Sequence, residues 1–425
     1  MSDLELRTLP SSAELTPERT EWLQAVSLGF HDKALTDEQL ARWNAEMHAD
    51  GMRARGMYRA SVPAGAFAGP VGTFMSYDAL INTGPDGNGV GHLETGNLIS
   101  DVTVRASHRR QGILRTMMTA DLSEAHERGL AFASLTVTEA VIYGRFGFGV
   151  SSLHQHVELD VSHDFALRHR PGGHCEFLDA SSEVVKDQRD RLFRQTLETT
   201  RGAHDRATQY RDRLAGDWDH EEGGKNRKLR TVGHWSDEGT LDGMATFEYG
   251  DWTDHDLRIH DLVALTPGAE LALWDHLGHQ DLVKRVTWRL SNQNSPLRWA
   301  LVDSRRLEVK GLRDCTWLRV LDPVKALSVR GWQADGTAVL EIADDLGFAA
   351  GRFRVTVEGG RASVEKTKDE ADVQLGVPEL GSLYFGAVRP RSLAAAGRIG
   401  GNRDAIAALD RLFEVDDEVF NNSHF

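Results

Sequence analysis

The spacing of apolar residues along the chain changes period several times, and each change predicts an element. TPERTEWLQAVSLGF, from Thr16, places its apolar positions at helical spacing behind a capping threonine and a proline in the first turn. TDEQLARWNAEMHADG, Thr36 to Gly51, keeps that period and closes on glycine. The period then shortens. RASVPAG, GPVGTFMSYDALIN and GNLISDVTVR read as strands, with NTGPDGNGVGH as a turn-rich loop between the last two. A helix stopped by Gly129, a strand AFASLTV, a short helix around EAVIYGRFG and a strand SSLHQHVELDV complete a first block, residues 1–160.

A second block, residues 161–312, begins with HDFALRHRPGGH, which reads as a linker, then a helix around DQRDRLFRQTLETTRG and the charged loop DWDHEEGGKNRK. Strands follow in KLRTVGHWSDEG and GMATFEYGDW. This block echoes the first. ISDVTVRASHRRQGILRTMM and IHDLVALTPGAELALWDHL both read strand, short loop, helix, but TPGAE lacks an arginine pair. The echo suggests a duplication whose second copy is degenerate. A third block, residues 313–425, alternates well in TWLRVLDP, GTAVLEIADD, GRFRVTVEGGRASVEKT and ADVQLGV, with helices in PELGSLYFGAV, PRSLAAAGRIG and RDAIAALDRLFEV. The class is α/β (α+β).

The chain has 425 residues, enough for two to four domains. A net charge of −15 argues against nucleic acid as the main partner, because phosphate binding needs a basic face, and suits cationic ligands. No apolar run is long enough for a membrane span, and the first residues lack the pattern of a secretion signal. The two cysteines cannot make a disulfide framework, which suits a reducing cytoplasm. Eighteen histidines show neither H-x-x-x-H nor H-E-x-x-H, so no metal is expected.

The stretch VTVRASHRRQGILRTMM carries the chemistry. A strand that feeds a helix through a glycine-bearing turn leaves N–H groups that converge on an anion. Gly112 permits close approach of the backbone, and Arg109 and Arg110 add forked cationic donors. The turn asks for a diphosphate, yet it matches neither the nucleoside triphosphate loop nor the dinucleotide fingerprint.

In order and spacing, VTV, the helix ILRTMMTADLSEAHERG and the later IYGRFGFG resemble the GNAT acetyltransferase superfamily. Val104, Arg109, Arg110, Gly112 and Ile113 match its V-x-x-x-x-R-R-x-G-[IL] loop for acetyl-CoA diphosphate. HRRQGILR, EAVIYGRFGFG and LGSLYFGA together resemble the Eis (enhanced intracellular survival) branch, and the likeness covers nearly the whole chain. It implies tandem GNAT domains, only the first binding acetyl-CoA, followed by a sterol-carrier-protein-like domain. It also implies a homohexamer that acetylates aminoglycosides and other amines at several positions.

The same resemblance assigns roles. Main-chain groups of Val102 and Val104 contact the thioester carbonyl and pantetheine arm. Thr138 keeps a hydroxyl near the cofactor. Tyr143 is the general acid, a phenol of pKa about 10 facing a departing thiolate whose thiol is near 8.5. The base is the terminal carboxylate, carried on Phe425. Asp32 binds substrate ammonium groups and Trp43 walls the pocket, while Phe30 is expected in the core. The penultimate residue, acidic in the best-known relatives, is His424, which removes a carboxylate from the amine pocket. Gly381 and Ser382 serve packing. Two alternatives stay open: an acceptor that is a protein lysine or small polyamine, and a non-catalytic lipid or ligand binder with a vestigial GNAT region.

Overall fold

The computed structural model describes residues 3–85, 91–137, 139–219, 222–251, 253–416 and 418–425. Thr138 and residues 86–90 of the turn-rich loop lie outside the described residues.

The first stretch of chain forms β1 (Leu4–Leu9), α1 (Pro17–Phe30), α2 (Asp37–Ala49), β2 (Arg53–Arg59), β3 (Gly72–Pro85), β4 (Gly91–Val104), α3 (Ile113–Glu127), β5 (Phe132–Thr136), α4 (Ala140–Tyr143), β6 (Gly149–Val150) and β7 (Leu153–Asp160). Local chemistry starts both early helices. Thr16 accepts from the Arg19 N–H ahead of α1, and Thr36 and Gln39 exchange bonds in a capping box at α2. The expected strand RASVPAG is displaced: β2 ends at Arg59, and the residues beyond it turn through Pro63, which has no N–H for a ladder. β1 was not expected, although LELRTL alternates. Phe30 is 41% exposed rather than in the core, because α1 ends beside it and His31 turns left-handed.

The middle stretch forms β8 (His174–Leu178), α5 (Glu183–Thr199), α6 (Thr208–Ala215), β9 (Arg230–Trp235), β10 (Leu241–Tyr249), β11 (Asp256–Ala264), α7 (Pro267–Gly278), β12 (Arg285–Ser291), α8 (Leu297–Ala300), β13 (Leu307–Asp314) and β14 (Thr316–Val320). β8, which starts at the last residue of the expected linker, and α6, which ends just before the charged loop, were not expected. The last stretch forms α9 (Pro323–Val329), β15 (Gly336–Ala343), β16 (Gly351–Glu358), β17 (Arg361–Lys366), β18 (Val373–Gly376), α10 (Val377–Tyr384), α11 (Pro390–Ala395), β19 (Ile399–Gly401) and α12 (Arg403–Leu412). Among the described residues, no helix is long and apolar enough to cross a membrane.

Three sheets result. The first runs β1-β2-β3-β4-β5-β14-β6, the second β13-β7-β12-β11-β10-β9-β8, and the third β17-β16-β15-β18-β19. Within the first two, one adjacent pair is parallel: β4 with β5, spanned by α3, and β11 with β12, spanned by α7. Each of these sheets also takes a strand from the other half of the chain. β7 lies between β12 and β13, and β14 lies between β5 and β6. Boundaries drawn at 160 and 312 therefore cut β7 and β14 away from the sheets they complete. Gly381 lets α10 lie against β14, since a Cβ there would collide with the Leu318 carbonyl.

Candidate active site

The site begins where a parallel pair comes apart. β4 and β5 pair at Asn97–Ala133, Leu98–Ser134 and Ile99–Leu135, and then β4 continues to Val104 without β5 beside it. The cause is a bulge. On β3, Thr73 faces Thr103 and Met75 faces Ser100, so Asp101 and Val102 share the space opposite Phe74. Asp101 adopts φ +51, and its carbonyl accepts from the Thr73 hydroxyl at 2.8 Å. The strands splay at their C-terminal ends and leave main-chain groups of β4 facing a wedge.

The arginine-glycine turn closes one side of this wedge. Arg110 has φ +64 and Gly112 φ +78. Arg109, Arg110, Gln111 and Gly112 are all exposed, whereas Ile113 is buried under α3. Gly112 occupies the N-cap of α3 and offers no side-chain acceptor. Thr116 is the first residue of the helix whose N–H is met from the turn, by the Gly112 carbonyl at 3.0 Å. No side chain caps the start of α3, and two exposed arginines precede it, an arrangement suited to an anion. A groove of about 90 Å³, lined by Leu4, Leu6, Met57, Gln111, Ile113 and Thr116, borders the turn. Behind it α3 is pinned, because buried Asp121 accepts from Arg55 (2.5 Å), Ser76 (2.6 Å) and Asn97 (2.6 Å) on β2, β3 and β4.

Val102, Val104, Ile113 and Tyr143 belong to one apolar cluster on the α3 face of the sheet. Tyr143 ends α4, is 7% exposed and meets Phe148 edge-on. Burial, then Glu139, pushes its phenol up to about 12, so the hydroxyl stays protonated at physiological pH.

The opposite face of the wedge receives the final residues. Phe420 donates its N–H to the Arg201 carbonyl (3.0 Å), and the Asn421 side-chain oxygen accepts from the His204 N–H (3.1 Å). The Asn422 carbonyl accepts from the Tyr210 hydroxyl (3.0 Å), and its amide donates to Asp261 (3.2 Å). An oxygen of Phe425 accepts from the Thr136 hydroxyl at 2.8 Å, one residue past the last β4–β5 pair. The Phe425 ring stacks on His204 (5.6 Å, 23°) and meets Tyr77 edge-on (6.3 Å). Burial lowers His204 to about 4, so its ring is neutral. Its Nδ1–H then donates to the Gly202 carbonyl, and Nε2 accepts from the Ser134 hydroxyl.

Trp43 is half-buried against the cluster that also receives Phe425 and Tyr77. Asp32 is exposed beyond α1, and among the described residues its carboxylate has no hydrogen-bond or ion-pair partner. Gly29, three residues before it, lies against Thr103 of β4. A cavity of about 390 Å³ between the first two sheets is lined in part by Tyr77, Asp50, Asp78 and Asp205, and each of these carboxylates is engaged. Asp50 binds Thr208, Asp78 binds Arg53 and Arg128, and Asp205 binds Arg211.

GNAT acetyltransferase domain families match residues 16–151 and 202–320, and a sterol carrier protein domain family matches residues 323–421. An uncharacterized N-acetyltransferase of Streptomyces griseus is 32% identical over 428 residues, covering 97% of each chain. N-acetyltransferase Eis of Mycobacterium tuberculosis is 31% identical over 313 residues, 71% of this chain and 73% of that one. The crystal structure of Eis1 from Mycobacterium abscessus superposes with a TM-score of 0.80 at 26% identity, covering 99% of this chain and 100% of that one. The chain belongs to the Eis family of GNAT N-acetyltransferases.

Its two GNAT domains and sterol carrier domain match the expected architecture, and membership makes it an acetyltransferase, which sets aside the non-catalytic alternative. Within this Eis-family enzyme the second GNAT copy has its own wedge. β11 and β12 pair through Ile259–Trp288, and β11 continues to Ala264. That wedge is filled. Asp261 pairs bidentately with buried Arg206 (2.9 and 2.7 Å) and takes the Asn422 amide. At α7, the Thr266 side chain caps the Ala269 N–H, the position left open at α3.

Sequence reasoning passed over Asp101. Its signal is an acid inside the β-branched run LISDVTV, and the repeat sets it against Asp261 in RIHDLVA.

Proposed function

We propose that this N-acetyltransferase uses acetyl-CoA to acetylate amino groups of small polycationic acceptors of the aminoglycoside type, at more than one position. The observation that carries the reading is the Phe425 oxygen on Thr136, at the lip of a wedge whose other end is the open arginine-glycine turn.

The exposed guanidinium groups and uncapped helix start fit a diphosphate, and the splayed β4 edge fits an extended amide-bearing arm. Arg109, Arg110, Gly112 and Ile113 would hold the diphosphate, Val102 and Val104 the pantetheine and thioester carbonyl, and Thr138 a nearby polar group. Bound there, the coenzyme supplies an activated acetyl thioester. The Val102 and Val104 main chain polarises the carbonyl. Tyr143 gives its proton to the leaving sulfur. The Phe425 carboxyl group takes a proton from the acceptor nitrogen, directly or through one water. Trp43 and Asp32 shape and charge the approach. The residues exposed on edge strand β13, Val309 and Leu312, together with Trp299, suit subunit contacts in a cytoplasmic homohexamer.

A second reading changes the acceptor to a small polyamine or a protein lysine. Behind it is His424, which burial, then His154 and Arg213, lower to about 4, so that it offers an ammonium no charge. A panel of aminoglycosides, linear polyamines and lysine peptides, followed by free-thiol release from acetyl-CoA, separates the two. The first reading expects multiple acetylations of at least one aminoglycoside by mass spectrometry, and turnover confined to polyamines or peptides refutes it.

A further inference from the structure

Between ammonium and amide the acceptor nitrogen gives up two protons, and the mechanism above supplies one acceptor, Phe425. The tandem repeat points to a second. Asp101 and Asp261 stand at the same place in the two copies, each two residues beyond the last parallel pair, after Ile99 and Ile259. Their surroundings differ. Asp261 is neutralised by Arg206, whose guanidinium also lies over Phe193 and Tyr210 (4.0 and 5.0 Å), and it accepts from Asn422. Among the described residues Asp101 has no such cation, and its Oδ2 is buried without a hydrogen-bond partner. A buried carboxylate oxygen left unpaired is costly, so its persistence at a splayed strand end needs a reason. Its backbone, at φ +51, is left-handed, a conformation that aspartate and asparagine tolerate better than other L residues with a side chain.

We propose that Asp101 is a further catalytic residue of the first wedge, whose carboxylate takes the first proton from the incoming ammonium group. The proposal rests on the reading of the site given above. The ammonium N–H bond breaks and its proton joins a carboxylate oxygen of Asp101. The freed electron pair on nitrogen forms the C–N bond to the thioester carbonyl carbon. The C–S bond breaks with its electron pair on sulfur, which takes the Tyr143 proton. The Phe425 carboxylate takes the second nitrogen proton. That proton and the one on Asp101 then leave, one restoring the phenol and the other passing to solvent.

The neighbourhood suits the task. Tyr77 of β3 meets the Phe425 ring edge-on, and its own phenol is raised well above the ordinary value by burial and then by Asp50, Asp205 and Asp101. Burial raises Asp101 to about 7, against a smaller lowering by the adjacent Ser100. A carboxylate tuned to that range is a far better base at neutral pH than an ordinary one.

The test uses the full-length enzyme with Asp101→Asn, Asp101→Gly and Asp101→Glu. Asparagine and glycine both accept the left-handed backbone, so either replacement removes the carboxylate while keeping the bulge, and circular dichroism checks the fold. The expected result at pH 7 is a fall of at least tenfold in kcat/KM for the amine with D101N and D101G, partial recovery with D101E, and acetyl-CoA affinity by calorimetry within twofold of the parent. The acid limb of the pH profile near 7 is expected to disappear in D101N. Parent-like turnover and an unchanged limb in D101N overturn the inference alone. Absence of turnover by the unsubstituted enzyme with every amine overturns the reading of the site, and the inference with it.

Discussion

The Thr136 hydroxyl donates to an oxygen of Phe425 across 2.8 Å, joining residues 289 positions apart in sequence. The bond fixes the last residue at the point where β4 and β5 separate. Thr136→Val is expected to lower kcat several-fold, the value of one hydrogen bond of about 1 kcal/mol. Deleting Phe425 is expected to lower kcat more than tenfold. Acetyl-CoA affinity should move less than twofold in both, measured by thiol release and calorimetry.

Tyr143→Phe removes the hydroxyl proposed to protonate the leaving sulfur and keeps the packing against Phe148. A loss of more than tenfold in kcat is expected with little change in KM. Because the phenol is raised to about 12, its protonated form is present through pH 10. An alkaline limb assigned to Tyr143 should therefore begin above pH 10, and a limb near 9 that disappears in the phenylalanine variant contradicts the assignment.

Arg109→Ala and Arg110→Ala each remove an exposed cation from the turn. Acetyl-CoA Kd is expected to rise by about five- to thirtyfold per arginine, roughly 1–2 kcal/mol, with a shallower dependence on salt. Gly112→Val should weaken binding as well, since φ +78 costs a residue with a Cβ roughly 1–2 kcal/mol. Isothermal titration at two ionic strengths checks both.

Asp121→Ala strips the acceptor from Arg55, Ser76 and Asn97 and leaves Arg55, 2% exposed, with the Ser76 hydroxyl and the solvent-accessible carboxylate of Glu124. A loss of about 3–5 kcal/mol is expected in denaturant unfolding, as for other broken buried pairs. A loss under 1 kcal/mol would show that α3 is held by packing alone.

Asp101 also makes a stability prediction. Its folded pKa, about 7, lies above that of an unfolded aspartate, so folding favours the protonated form. The contribution is fully present below about pH 4 and is lost as pH rises to 7. Asp101→Asn carries no such loss, so its Tm should exceed the parent's at pH 8 and match it at pH 4. Equal shifts at both pH values would exclude ionisation as the cause.

Much of this site could be read without coordinates. The turn at Arg109–Gly112 is a local object: a strand end, two arginines, a glycine and a helix start within a dozen residues. Tyr143 and the α4 turn are similarly local. Asp32 is different, because its neighbours depend on how α1 lies over β4, and it stands exposed. Phe30 was misjudged because aromatic character indicates apolar surface and not which side of a helix end is covered. β8 was hidden by polarity, since as an edge strand it leaves much of its surface in water.

The sequence by itself determined the three-part order, the capped starts of α1 and α2, the anion-ready turn and the faint duplication, because caps, periodicity and glycine conformations act over a few residues. Tertiary structure alone decided that β7 and β14 complete sheets in the opposite half, that the tail threads past Arg201 and His204 to Thr136, and that Asp261 is neutralised while Asp101 is not. Strand pairing and burial depend on contacts between residues far apart in the chain, and an aspartate carries the same letter whether or not an arginine reaches it.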